Sequence, residues 1–175
     1  MKQVTINERV YHFEELTPEA QDKAIEELAN IIQVDVFYAE SILEDAKEAG
    51  INIDEYDLYR RTIGGKLTES AEDVANKIIA DHGPDCDTYK TARAYLGELS
   101  TLKGIHGIAD MEDEDLDTED IDNDFRRAIL EDYLSLLRRE YEYQGSREAI
   151  IETINANEYG FFEDGKRTHH IAANF

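Results

Sequence analysis

Between positions 120 and 143, Ile121, Phe125, Ile129, Leu130, Tyr133, Leu134, Leu137 and Tyr141 return every three or four residues. That spacing places eight large apolar groups along one side of a single helix. At 1.5 Å per residue such a helix is about 36 Å long. A stripe of that length cannot face water, so the remainder of the chain must provide apolar faces to cover it.

Several segments do so. Thr17 as N-cap and Pro18 at the first helical position open a helix. Its inward face is Ala20, Ala24, Ile25, Leu28 and Ile31/Ile32, with Glu19, Asp22, Glu26 and Glu27 turned away. A second helix is predicted over 34–49, with Phe37, Ile42, Leu43 and Ala46 inward and Gly50 ending it. Ser70, with Asp73 three positions on, forms a variant capping box for a helix reaching about Asp81. His82-Gly83-Pro84 breaks that helix, and another runs from Asp87 or Thr88 to Leu102, before Gly104 and Gly107. A shorter helix spans Ser146 to Asn157.

Extended segments separate the helices. Residues 3–13 (QVTINERVYHF) are rich in Val, Ile, Thr and aromatics and predict a strand or hairpin arm. Residues 51–69 predict two strands joined by a tight turn at Gly64-Gly65. Near the end, Asp164-Gly165 between short extended runs is a further hairpin signal. The expected architecture is a single acidic α+β domain over 1–175, mostly helical, with a small antiparallel sheet gathered from both ends and an acidic connecting segment at 110–124.

Charge decides which partners such a domain can have. The chain carries 41 Asp and Glu against 18 Lys and Arg, a formal net charge of −23. Residues 1–60 hold fifteen acids and five bases, and residues 110–124 hold ten acids and no base. A surface of this sign repels nucleic acid and membranes and attracts a protein groove built for a phosphate backbone. Direct nucleic-acid binding is therefore disfavoured. No apolar run approaches the roughly 20 residues that cross a bilayer, and the start MKQVTINERVYHF lacks a signal core. The single Cys86 excludes an internal disulfide and fits a reducing cytoplasm.

The candidate partner-binding residues are Asp110, Glu112, Asp113, Glu114, Asp115, Asp117, Glu119, Asp120, Asp122 and Asp124, with Glu19, Asp22 and Glu26 on the first helix. Such carboxylates can stand in for phosphates, which recur about every 3.4 Å along each DNA strand. Glu40, Glu44, Asp45 and Glu48 offer a similar outward face on the second helix. Acid also serves solubility alone, but its clustering here favours binding. Asp113, Asp115, Asp117, Glu119 and Asp124 fit positions 1, 3, 5, 7 and 12 of an EF-hand frame. Thr118 replaces the glycine of position 6 and Asp124 the longer glutamate, which argues against calcium. No metal or cofactor is expected.

Catalysis finds little support. His12, His82, His106, His169 and His170 are scattered, and no CxxC, HExxH, GxSxG or phosphate-binding glycine loop occurs. His82 and Cys86 flank Gly83-Pro84, but no third group is evident to orient them. Arg126-Arg127 and Arg138-Arg139 are expected to pair with carboxylates such as Asp122, Glu131 or Glu142.

Two stretches carry a resemblance. YHFEELTPEAQDKAIEEL (Tyr11–Leu28) resembles the opening of small uncharacterised proteins from phages and mobile elements, and REYEYQGSREAIIETINANEYGFFEDGK (Arg139–Lys166) resembles their close. Together they cover about a quarter of the chain. The middle, IDEYDLYRRTIGGK, departs from the Gly- and aromatic-rich hairpin of those proteins. The resemblance implies a phage or prophage accessory gene and carries over no catalytic or binding residue. By analogy with small acidic phage inhibitors, it implies an anti-CRISPR or antirestriction protein in the cytoplasm of a bacterial host. The partner would be a nucleic-acid-binding CRISPR effector or restriction nuclease. An antitoxin-like or scaffold protein, including a homodimer, is the first alternative, and a metal-dependent hydrolase the second.

Overall fold

The computed structural model describes residues 9–32, 37–105 and 117–171. The expected α+β class is what it shows: six helices among the described residues and two antiparallel strand pairs. The elements are a 3-10 turn at Phe13–Glu15, α1 Pro18–Ile32, α2 Phe37–Glu48, β1 Ile51–Asp57, β2 Thr62–Leu67, α3 Ala71–Asp81, α4 Asp87–Ile105, α5 Glu119–Gln144, α6 Arg147–Ala156, β3 Tyr159–Phe161 and β4 Arg167–Ile171. They group into two compact units, one of residues 1–36 with 140–175 and one of residues 37–139.

In the first unit, the Thr17 hydroxyl accepts from the Ala20 amide at 3.3 Å, the cap expected for α1. Ala20, Ala24, Ile25 and Leu28 are buried with Ile150 and Ile154 of α6 and with Phe13, Leu16 and Phe161. Each fully buried Leu, Ile or Phe contributes about 1.5–3 kcal/mol. Phe13 and Phe161 meet edge to face with ring centroids 6.1 Å apart. The expected strand at the N-terminus is narrower than predicted. Its first residues lie outside the described ones, Tyr11 makes a lone bridge to Phe161 at 2.8 and 2.9 Å, and Phe13 already belongs to the 3-10 turn. The hairpin at Asp164-Gly165 forms as expected, joining β3 to β4. Gly165 has φ +86°, and its missing side chain lets the Ala20 carbonyl approach.

The second unit is built around α5. Phe125, Ile129, Leu130 and Tyr133 pack with Ala46, Ile51, Val74, Ala75, Ile78, Ala92 and Leu99. Tyr95 and Phe125 stack at 4.5 Å between centroids. Ser70 caps α3, accepting from the Asp73 amide at 3.1 Å, while its hydroxyl bonds the Asp73 carboxylate at 2.6 Å. Helix α4 runs through Gly104 to Ile105, three residues past its expected end at Leu102.

The turn predicted at Gly64-Gly65 is corrected. The strands pair from Ile51↔Leu67 to Asp57↔Thr62, so the turn is Leu58–Arg61 and both glycines lie inside β2. The reason is packing, not turn geometry. A Cβ on Gly65 would stand 2.5 Å from the Asn52 carbonyl oxygen and 3.0 Å from Leu130 Cδ2. The glycine lets β2 lie close under α5.

Candidate interaction surface

On α1, 100° per residue sets Glu19, Asp22 and Glu26 opposite the buried Ala20, Ala24 and Leu28, and all three acids are exposed. Neighbours three and four apart on a helix stand about 5–6 Å apart at Cβ. The outward face is thus an anionic stripe, joined by exposed Glu27 and tempered by Lys23. Asp22 is not free of internal contacts: Arg147, the first residue of α6, donates to it at 2.7 Å.

The second candidate, at the start of α5, is only partly described. Asp110, Glu112, Asp113, Glu114 and Asp115 lie outside the described residues. Asp117 accepts from the Glu119 amide at 3.2 Å, and Glu119 and Asp120 are exposed in the first turn. There they also meet the positive end of the helix dipole, worth about 0.3–1 kcal/mol each. One residue of the expected surface is instead held internally. Asp122 is half-buried and accepts from Tyr95 Oη at 2.6 Å and Thr118 Oγ1 at 2.9 Å. Asp124 pairs with Arg127 at 3.2 Å but stays exposed at the surface. Burial, then the bond to Asp122, pushes the Tyr95 phenol up.

Asp117, Glu119 and Asp122 line one open cleft of about 720 Å³ together with Lys66, Glu69 and Arg126. These three acids of the run therefore share a cleft with cations of their own unit. For the calcium frame, the chain is helical from Glu119 onward, and Asp124 has its guanidinium partner. Among the described residues, no three His, Cys, Asp or Glu side chains come together as a metal site.

Arg127 and Arg139 pair with carboxylates, as expected, though with Asp124 and Asp87 and not with the acids named from the sequence. Arg126 donates to the Gly65 carbonyl at 3.3 Å, and Arg127 takes Asp124. Arg139 reaches Asp87 at 2.7 Å. With Lys90 it holds the Asp87 carboxyl below the usual range. Asp45, expected on an outward acidic face of α2, accepts from Tyr133 Oη at 2.8 Å and faces His82 Nε2 at 3.4 Å. His82 Nδ1 and Thr88 Oγ1 hydrogen-bond at 2.7 Å.

Asp45, His82 and Thr88 thus line up as an acid, an imidazole and a hydroxyl, the order of a hydrolase triad. Sequence reasoning paired His82 with Cys86 and found no orienting group; Asp45 is that group, and the hydroxyl it serves is Thr88. But Thr88 is only 2% exposed. A nucleophile that substrate cannot reach does no acyl transfer, and the chain ties α2, α3, α4 and α5 together instead.

No helix among the described residues is long and apolar enough to cross a membrane. Comparison with protein-family models, with curated proteins and with solved structures finds no match to this chain.

Proposed function

We propose that this chain is a phage-type anti-defence inhibitor that occupies the cationic nucleic-acid groove of a host CRISPR effector or restriction nuclease in the bacterial cytoplasm. The observation that carries the reading is the stripe of α1, where Glu19, Asp22 and Glu26 are exposed on one face in a chain of net charge −23. Glu119 and Asp120, exposed at the start of α5, are a second contribution. Asp122 belongs to an internal contact and drops out of the proposed surface.

The mechanism is competition. Carboxylates at helical spacing present fixed negative charge to Lys and Arg side chains that otherwise hold phosphates. Long-range attraction speeds encounter, and added salt slows it steeply. No bond is made or broken, and no cofactor takes part.

The test is protection of incoming DNA in bacteria that carry one defined restriction or CRISPR system. Expression of the chain is expected to restore transformation by a targeted plasmid. The triple variant Glu19→Gln, Asp22→Asn, Glu26→Gln is expected to lose most of that protection while remaining folded. Undiminished plasmid clearance in every system tried, or full protection by the triple variant, overturns the reading.

A further inference from the structure

The Leu58–Arg61 turn that replaces the expected glycine turn carries Tyr59, Arg60 and Arg61 at its tip. Tyr59 is 96% exposed, the most exposed large hydrophobic side chain of the described structure. Both arginines are exposed as well. The tip is held in shape from within. The Asp57 carboxylate accepts from the amides of Tyr59 and Arg60 at 2.9 and 2.8 Å, and Arg61 sits at φ +58°. A left-handed backbone is uncommon for a residue with a side chain. An exposed tyrosine beside two arginines, on a preorganised turn, is the composition that dominates binding hot spots. Following the acids Asp54, Glu55 and Asp57 in a chain of net charge −23, it is also a local reversal of sign.

The same unit contains a recess with the complementary chemistry. Between α4 and α5 lies a hollow of about 230 Å³. Its lining includes the stacked, buried Tyr95 and Phe125, with Ala94 and Ala128 beside them and the exposed carboxylates of Glu98 and Asp124. An apolar cavity of about 150 Å³ accepts benzene, so this one has room for a phenol ring. The tip of the same molecule does not fill it, because Tyr59 stands in solvent.

We infer that the tip docks into the recess of a second copy of this chain, Tyr59 entering between the aromatic and alanine side chains while Arg60 and Arg61 pair with Glu98 and Asp124. This goes beyond the proposed inhibition and does not depend on it. Two copies of net charge −23 repel at long range. At about 0.15 M salt the Debye length is about 8 Å, which leaves short-range ion pairs intact while damping that repulsion.

The experiment is sedimentation velocity on the full chain at that ionic strength, from micromolar to sub-millimolar concentration. Four variants are run beside it: Tyr59→Ala; Arg60→Glu with Arg61→Glu; Glu98→Arg with Asp124→Arg; and the two reversals combined. The unaltered chain is expected to associate with rising concentration. Tyr59→Ala and each reversal alone are expected to weaken association about thirtyfold, the scale of a hot spot. The combined reversal is expected to regain it. Circular dichroism of each variant separates lost contact from lost fold. A chain that stays monomeric throughout overturns the inference, as do variants that associate like the unaltered chain, or reversals that fail to rescue each other. Capture of a labelled single-stranded oligonucleotide through Tyr59 and both arginines, by a protein that stays monomeric, overturns it in favour of nucleic acid.

Discussion

Tyr133 and Asp45 lie 88 residues apart and share one hydrogen bond of 2.8 Å, the phenol donating to the carboxylate. Through Asp45 that bond reaches His82, and through His82 it reaches Thr88. Removing the hydroxyl alone, as Tyr133→Phe, is expected to cost about 1–2 kcal/mol, since a hydrogen bond to a charged group is lost inside the fold. Urea unfolding at neutral pH measures it through a lower midpoint at unchanged slope.

The same phenol sets an alkaline limit. Burial first, and the Asp45 bond second, push the Tyr133 phenol well above its ordinary value of 10.0. The unfolded chain therefore releases this proton near pH 10 while the folded chain keeps it. Stability from this group is complete below that pH and is lost as pH rises, by at most about 1.4 kcal/mol per unit. Urea midpoints measured from pH 9 upward are expected to fall less steeply in Tyr133→Phe than in the unaltered chain.

Asp132 behaves in the opposite sense to most carboxylates. Burial pushes its carboxyl up from 3.8, against the hydrogen bond from Thr91. A carboxyl raised in the folded state binds more protons there, so stability falls as pH rises from the unfolded value through the folded one. Asp132→Asn keeps an acceptor for Thr91 and removes the buried charge. The variant is expected to match or exceed the unaltered chain at pH 7. Its advantage should vanish below pH 3.8, as read from urea midpoints at both pH values.

Gly65 and Gly64 are adjacent in β2 and are expected to respond differently to alanine. At Gly65 the new methyl meets the Asn52 carbonyl and Leu130, groups that cannot move aside without shifting backbone or core. The expected cost is about 1–3 kcal/mol. At Gly64 it meets the flexible Glu55 side chain at 3.1 Å, which can swing away. A thermal melt of the two variants should show a clear loss for the first and little change for the second.

Neutralising the α1 stripe should leave the fold intact. The Asp22–Arg147 pair is solvent-exposed, with side chains 66% and 53% accessible, and such pairs contribute about 0–1 kcal/mol. Glu19→Gln, Asp22→Asn and Glu26→Gln together are therefore expected to shift stability by less than about 1 kcal/mol. The urea midpoint of the triple variant checks this, and it licenses reading any loss of DNA protection as loss of binding.

Features whose cause is local were legible in the chain. Thr17 before Pro18, Ser70 with Asp73, and Asp164 before Gly165 each act over three or four residues. The structure places a helix start at the first two and a hairpin turn at the third. The apolar stripe of α5 was legible for the same reason, because helical period is a property of spacing alone. The acids of α1 were correctly expected to face outward, but the capture of Asp22 by Arg147, 125 positions away, carries no local signal.

The amino-acid order by itself determined which segments are helical, where most of them begin, and that the molecule carries a large negative charge. Only the tertiary structure decided which charges remain available. Asp122 was withdrawn by the hydroxyls of Tyr95 and Thr118, and Asp45 was engaged by Tyr133 and His82. It also moved the turn of the β1–β2 hairpin from the glycines to Tyr59, Arg60 and Arg61, because α5 packs onto β2 where a side chain would not fit. Backbone propensity and periodicity are set by neighbours in sequence, whereas the partner of a charge or the space beside a glycine is set by whatever the folded chain brings against it.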